Sequence, residues 1–441
     1  MYGFSIFCKP LLGLTPHMEK GNTFRIRGGV PLRGDIEVRG SKNAATPILA
    51  ATLLTEEPCR IENIPRIKDV ESMLNVIEHL GADISWEGDH TVVIRAENIN
   101  PTISEETRLI MRRMRSSVLF IGALLARFGE VRLPYPGGCD IGERSIDTHL
   151  KAFRDVGCQI REDEKWVELS WSSSGIPADV ILEEFSVTAT ENLLLALAKI
   201  PTPTTIHIAA AEPHVQDLAY FLKKMGVAIE GIGSHDLTVK GSESLKGAEH
   251  RLISDFIEAG TFILAALATK GEVCIQNADP RHLFLVLKVL KDAGAHIDVG
   301  VGGLLWVRPA KDLILKRVQT LPYPGIPTDL QSLFAVLATQ TKGPTLLHDP
   351  MYGGRLHAVK ELTKLGARIE ILDDHRALIG GPSTLKGALL KGMELRGTAA
   401  LVMAGLVAEG ETMVEGADQI ARGYEDIDGR LRNLGAQIER V

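Results

Sequence analysis

The chain has 441 residues, 45% hydrophobic and 24% charged, with a formal net charge of −7. That length allows two or three domains with substantial cores, and the acidic balance argues against nucleic acid as a partner. Five scattered cysteines (Cys8, Cys59, Cys139, Cys158, Cys274) form no C-x-x-C pair, which fits a reducing cytoplasm and gives no support for a disulfide framework or a zinc site.

Residues 1–20 carry no periodic pattern. Met1–Leu14 is apolar but lacks a leading basic region and is broken at Lys9-Pro10, so the segment reads as a loose tail rather than a signal peptide, with Met18 as an alternative start. Strand-like sequence follows around Phe24–Val38. Helices rich in Ala, Leu and Gly then recur along the chain: Lys42–Leu54, Ser116–Ala126, Val187–Ala198, Phe256–Ala268, Asp329–Ala338 and Leu395–Ala408. The apolar run Val118–Ala126 stops at Arg127, well short of the roughly 20 residues that span a membrane.

A second pattern keeps step with these helices. It reads Leu80-Gly81-Ala82-Asp83-Ile84, and returns around Gly157, Gly226, Gly294, Gly366 and Gly435, with spacings of 76, 69, 68, 72 and 69 residues. A glycine at the end of a helix, followed by an isoleucine that opens a strand, suits a left-handed C-terminal position. Six such junctions at near-constant spacing predict six repeats, each reading strand–helix–strand–helix–strand. Helices that are apolar nearly all round belong inside, wrapped by sheets. The expected fold is α/β (α+β): a two-domain, inside-out α/β barrel of six βαβαββ-type repeats, three per domain. One domain spans 41–254; the other joins 21–40 to 255–441. The site is expected in the cleft between them.

The loop Pro134-Tyr135-Pro136-Gly137-Gly138-Cys139-Asp140-Ile141-Gly142-Glu143-Arg144 is rich in turn formers. A cysteine beside Gly-Gly has little core to join, and Arg144 would favour its thiolate while Asp140 opposes it. A functional thiol and an idle one both remain open on these grounds; Cys59, Cys158 and Cys274 read as core residues. Lys42, Arg115 and Arg396 open or lie near the start of apolar helices, and Arg422 lies in Ala421-Arg422-Gly423. Brought together they would hold an anion; taken singly, each could be a surface charge. Asp329 stands where the fifth helix begins, a position that favours an acidic cap over a cleft-facing base. No Walker loop, metalloprotease helix or Rossmann fingerprint is present.

Gly40-Ser41-Lys42-Asn43-Ala44-Ala45, Pro136-Gly137-Gly138-Cys139, Pro327-Thr328-Asp329 and Arg422-Gly423-Tyr424-Glu425 are similar to the signatures of the enolpyruvyl transferases, in that family's order and across nearly the whole chain from Phe24. The resemblance implies transfer of the enolpyruvyl group of phosphoenolpyruvate to the 3-hydroxyl of UDP-N-acetylglucosamine with release of phosphate. That is the first committed step of peptidoglycan synthesis, carried out in the cytoplasm by a monomer or weak homo-oligomer without cofactor or metal. It implies that Cys139 donates a proton to phosphoenolpyruvate and is alkylated by fosfomycin. Asp329 takes the proton of the sugar hydroxyl, and Lys42, Asn43, Arg144, Arg396 and Arg422 hold phosphoenolpyruvate, with Lys42 and Arg422 also catalytic. The nucleotide sugar is assigned to Asn43, Arg115, Arg144, Ser145, Ile146, Asp147, Thr148, Glu184, Phe185, Ser186, Val187, Asp329 and Met351. A sister reaction on shikimate 3-phosphate shares the fold but not the cysteine loop; a silent paralogue that only binds the nucleotide sugar is the third reading.

Several positions depart from the family pattern. Glu394 replaces an Asp, Phe256 an Arg, Thr188 a Gly and Glu184 a Lys. Ala211-Glu212-Pro213-His214 and Gly353-Gly354-Arg355-Leu356-His357 also differ from the usual forms. These bear on the nucleotide-sugar contacts more than on the phosphoenolpyruvate site.

Overall fold

All six repeat glycines adopt positive φ, at 103°, 91°, 112°, 99°, 89° and 89° in chain order. A side chain would be strained there, which is why glycine returns at this one point in every unit. The computed structural model describes residues 21–137, 146–171 and 178–441. After each glycine a short strand follows: Asp83–Trp86, Cys158–Glu162, Ala228–Glu230, His296–Val299, Arg368–Ile371 and Gln437–Arg440.

Among the described residues there are six sheets, five of four strands and one of three. In the third repeat, Asp179–Ile181 pairs in parallel with Thr204–His207, and the helix Val187–Leu197 lies between them in sequence. Two further strands then add antiparallel. The same plan recurs around the helices Phe256–Ala268, Gln331–Ala338 and Leu395–Val407. The first repeat takes its parallel strand, Glu249–Arg251, from the far end of its own domain, where it pairs with Cys59–Glu62. The last repeat is closed from the other end of the chain, since Thr23–Arg27 lies antiparallel between Glu411–Glu415 and Gln437–Arg440.

The buried apolar side chains form two separate clusters. One takes in Phe24–Val38 with residues from Phe256 to Ile438; the other runs from Ala44 to Leu252. At the centre of each cluster are the small-residue helices: every residue of Phe256–Ala268 is buried, as is every residue of Gln331–Ala338. The sheets lie outside, so the architecture is the inside-out α/β barrel pair expected from the apolar helices. Two of those helices begin with a 3-10 turn, Arg115–Leu119 before Phe120–Phe128 and Thr328–Leu330 before Gln331–Ala338. Among the described residues no helix is long and apolar enough to cross a membrane.

Among the described residues the chain passes between the two cores twice, and the crossings lie side by side. Ser41 N–H donates to the Ile253 carbonyl at 2.8 Å and Asp255 N–H to the Arg39 carbonyl at 2.8 Å, framing an antiparallel bridge between Gly40 and Ser254. A Cβ on Gly40 would come within 1.7 Å of the Asn63 carbonyl oxygen, an overlap with backbone that only a shift of the crossing could relieve. Gly40→Ala should therefore lower the thermal midpoint, by the equivalent of about 1–3 kcal/mol for an overpacked site. Thermal unfolding checks this; an unchanged midpoint would mean that the crossing gives way freely.

Candidate active site

A cavity of about 1000 Å³ opens between the two cores, and all six core helices begin at its wall. Lys42 and Asn43, Arg115 and Ser116, Ser186 to Thr188, Phe256 and Ile257, Thr328 and Asp329, and Leu395 and Arg396 supply one helix start each. The uncompensated N–H groups of a helix start carry roughly half a positive charge. Six starts, with Lys42, Arg115, Arg396 and Arg422, concentrate positive potential at the cleft. Side chains cap three of the ends: Ser41 accepts from Ala44 N–H, Asp255 from Ile257 and Glu258 N–H, and Glu394 from Arg396 and Gly397 N–H.

Two carboxylates organise the cations. Asp69, on the helix Lys68–His79, accepts from Lys42 Nζ at 2.7 Å and from Arg422 Nε at 2.9 Å. Burial alone would raise its pKa, but the two cations outweigh that and hold the carboxyl below the ordinary carboxylate range. Because Lys42 and Asp69 belong to one core and Arg422 to the other, this triad ties the two halves of the cleft. Beside it, Lys68 N–H donates to the Ala421 carbonyl at 3.1 Å and Arg66 N–H to Glu425 at 2.7 Å. Asp329 is gripped at both oxygens, by Arg355 at 2.6 Å and Arg396 Nε at 3.2 Å. Arg396 is 3% exposed and sits 5.1 Å from the centre of the Tyr424 ring. Burial works against its charge, but Tyr424, Asp329 and Asp255 raise its pKa overall.

Four further groups of the lining are held neutral by burial. Burial, with Glu212 adding to it, pushes the Glu191 carboxyl well above the usual range; burial raises Glu212 as well. Burial pulls His214 down to about 4 and His149 down to about 3, so both imidazoles are neutral at physiological pH. Glu191 Oε1, Glu212 Oε2 and His214 Nδ1 are buried without a hydrogen-bond partner among the described residues. The cleft thus sets neutral, hydrogen-bonding groups among its cations, with the Glu183 and Glu184 carboxylates also in its lining.

A family model described as EPSP synthase (3-phosphoshikimate 1-carboxyvinyltransferase) matches residues 26–431. The chain belongs to the EPSP synthase family. Within this family it is 42% identical over 418 residues to a UDP-N-acetylglucosamine 1-carboxyvinyltransferase of Halothermothrix orenii, covering 95% of this chain and 99% of that one. It is 40% identical over 423 residues to the protein of the same name from Koribacter versatilis, covering 95% and 96%. Among solved structures, the enolpyruvyl transferase NikO from Streptomyces tendae matches with a TM-score of 0.85 at 25% identity, over 96% of this chain and 99% of that one. An EPSP synthase from Acinetobacter baumannii matches at 0.73 and 19% identity, over 95% and 99%, which speaks to the fold alone.

Of the residues that the family resemblance singles out, Lys42, Asn43, Arg115, Thr148, Glu184, Phe185, Ser186, Val187, Asp329, Met351, Arg396 and Arg422 all line this one cavity. Ile146 is packed in the first core, and Asp147 is exposed at the start of the helix Asp147–Asp155; neither is among the cavity-lining residues. Cys139, Arg144 and Ser145 lie outside the described residues. Cys59, Cys158 and Cys274 are buried as expected, and burial raises all three thiols, Cys59 to about 11 and Cys158 to about 12. Asp329 sits inside the turn that Pro327 opens, and its carboxylate serves the two arginines. Asp69, Arg355, Glu191, His149 and the site positions of Glu212 and His214 escape the sequence reading. The signals that could have found some of them are the two segments that depart from the family pattern, Ala211-Glu212-Pro213-His214 and Gly353-Gly354-Arg355.

Glu191 binds its proton more tightly in the folded chain than in the unfolded one. Its contribution to stability is therefore full below the unfolded carboxylate pKa and is lost as pH rises toward the folded value. Glu191→Gln should match the parent's thermal midpoint near pH 4 and exceed it at pH 8. A midpoint difference that does not change with pH would overturn this assignment.

Proposed function

We propose that the chain transfers the enolpyruvyl group of phosphoenolpyruvate to the 3-hydroxyl of UDP-N-acetylglucosamine, releasing phosphate. The observation that carries this is the single cavity in which the cations Lys42, Arg396 and Arg422 meet Asp329, a carboxylate fixed at both oxygens. Relatives that are 40–42% identical over 95% of the chain bear the name of this activity. A small molecule with both a carboxylate and a phosphate suits a wall of helix starts and guanidinium groups. The larger acceptor suits the remainder of the cavity, along Asn43, Arg115, Thr148, Glu184 to Val187 and Met351, joined in this reading by Arg144 and Ser145.

Cys139 is assigned the proton that goes to the methylene carbon of phosphoenolpyruvate. Cationic character then develops at C2, the sugar oxygen bonds to that carbon, and Asp329 takes the hydroxyl proton. A carboxylate paired with two arginines is a weak base, yet it suffices when the proton leaves as the C–O bond forms. The Cys139 thiolate then takes a methyl proton back as the C–OP bond breaks, which forms the enol ether, and phosphate leaves with the proton that Asp329 had taken, so both groups return to their starting states. Lys42, Arg396 and Arg422, with Arg144, neutralise the leaving group, and holding two substrates in one cleft removes much of the entropic barrier.

Phosphate release in the presence of phosphoenolpyruvate should require UDP-N-acetylglucosamine, and release only with shikimate 3-phosphate would sink the proposal. Binding of the nucleotide sugar without any turnover would instead favour a silent paralogue. Asp329→Asn should lower kcat by about 10²–10⁴-fold, the usual range for losing a positioned base, when steady-state rates are compared with the parent.

A further inference from the structure

Behind Thr188 the cavity lining continues into a hydrogen-bond chain whose direction is fixed by chemistry. Gly122 N–H can only donate, and it bonds Asn192 Oδ1 at 2.9 Å. The Asn192 amide is therefore oriented with Nδ2 toward His149 Nδ1, 3.1 Å away. An amide nitrogen donates, so His149 Nδ1 must accept, and the ring proton of neutral His149 sits on Nε2. Nε2 lies 3.0 Å from Thr188 Oγ1; it donates, and the threonine oxygen accepts. The Thr188 hydroxyl hydrogen is then left to point elsewhere, and among the described residues no acceptor receives it. Asn192 is fully buried and His149 is 2% exposed, so the relay is rigid and shielded from competing water. Thr188 itself lines the cavity.

Its surroundings suggest what the hydroxyl meets. Thr188 is in the first turn of the helix Val187–Leu197, whose N-cap residue Ser186 makes no side-chain cap. A neighbouring threonine of the lining, Thr148, already donates to Glu184 Oε1 at 2.8 Å. One oriented hydroxyl donor beside uncapped helix N–H groups suits an anionic oxygen. We propose that Thr188, set by the Gly122–Asn192–His149 relay, donates a hydrogen bond to a phosphoryl oxygen of the nucleotide-sugar acceptor and so helps to select it. This rests on the acceptor reading given above.

Thr188→Val keeps the shape and removes the donor; Thr188→Ser keeps the donor. In the full-length chain, the valine variant should weaken both UDP-N-acetylglucosamine and UDP by about ten- to a hundredfold, the scale of a hydrogen bond to a charged group. UDP is measured as a competitive inhibitor, kcat and the KM for phosphoenolpyruvate should stay within twofold, and the serine variant should behave as the parent. Thr188→Ala gives the same readout should the valine variant unfold. Unchanged affinity for both ligands overturns the proposal, and so does weakened UDP-N-acetylglucosamine with unchanged UDP, which would move the contact to the sugar. A parent that neither binds UDP nor turns over the nucleotide sugar would fail the functional reading itself, an outcome separable from a normal parent with an unaffected valine variant.

Discussion

The convergence of six helix starts on one cleft is the constraint from which most of the structure follows. Burying a helix on all sides leaves its first N–H groups to be satisfied where they emerge, and here all six emerge at the same cavity. The result is a concentration of positive potential that the chain cannot leave unbalanced. Asp69 and Asp329 meet that need, each shared between two cations, and Asp255 and Glu394 cap helix ends beside them. What potential remains is available to an anionic ligand.

The same cleft combines charged and neutral groups. The cations Lys42, Arg396 and Arg422 share its lining with His149, Glu191, Glu212 and His214, which stay in their neutral forms because burial disfavours their charge. A bisubstrate reaction profits from this combination. The cations compensate the charge that leaves with phosphate, and the neutral groups can orient an acceptor by directional hydrogen bonds.

The repeat was legible in the sequence because its marker is steric: only glycine takes the left-handed turn at Gly81 and its five counterparts without strain, so the residue returns wherever the geometry does. The helix starts were legible for a related reason, since a Lys or Arg heading an apolar segment has few other places to go. The partners of those cations were not. Asp69 and Arg422 meet across 353 residues, and nothing local to Asp69, on an ordinary amphipathic helix, announces the contact. Asp329 misled in the opposite direction, because an acidic residue at a helix start looks like a cap until Arg355 and Arg396 are seen beside it. The relay through Asn192 and His149 depended on a close approach of two helices at Gly122, where a Cβ would meet the Asn192 carbonyl oxygen at 2.3 Å; spacing alone does not register such an approach.

The paired crossings at Gly40 and Ser254 also govern the order in which the chain can assemble during synthesis. Everything needed for the core from Ala44 to Leu252 is contiguous, so that half can fold once its last strand, Glu249–Arg251, has left the ribosome. The strand Thr23–Arg27 has to wait for partners that end at Arg440, which makes the first strand made one of the last to be paired. Until then its apolar face, Phe24 and Ile26, has no sheet to join, and the finished half beside it is what keeps that waiting segment close to where it will dock.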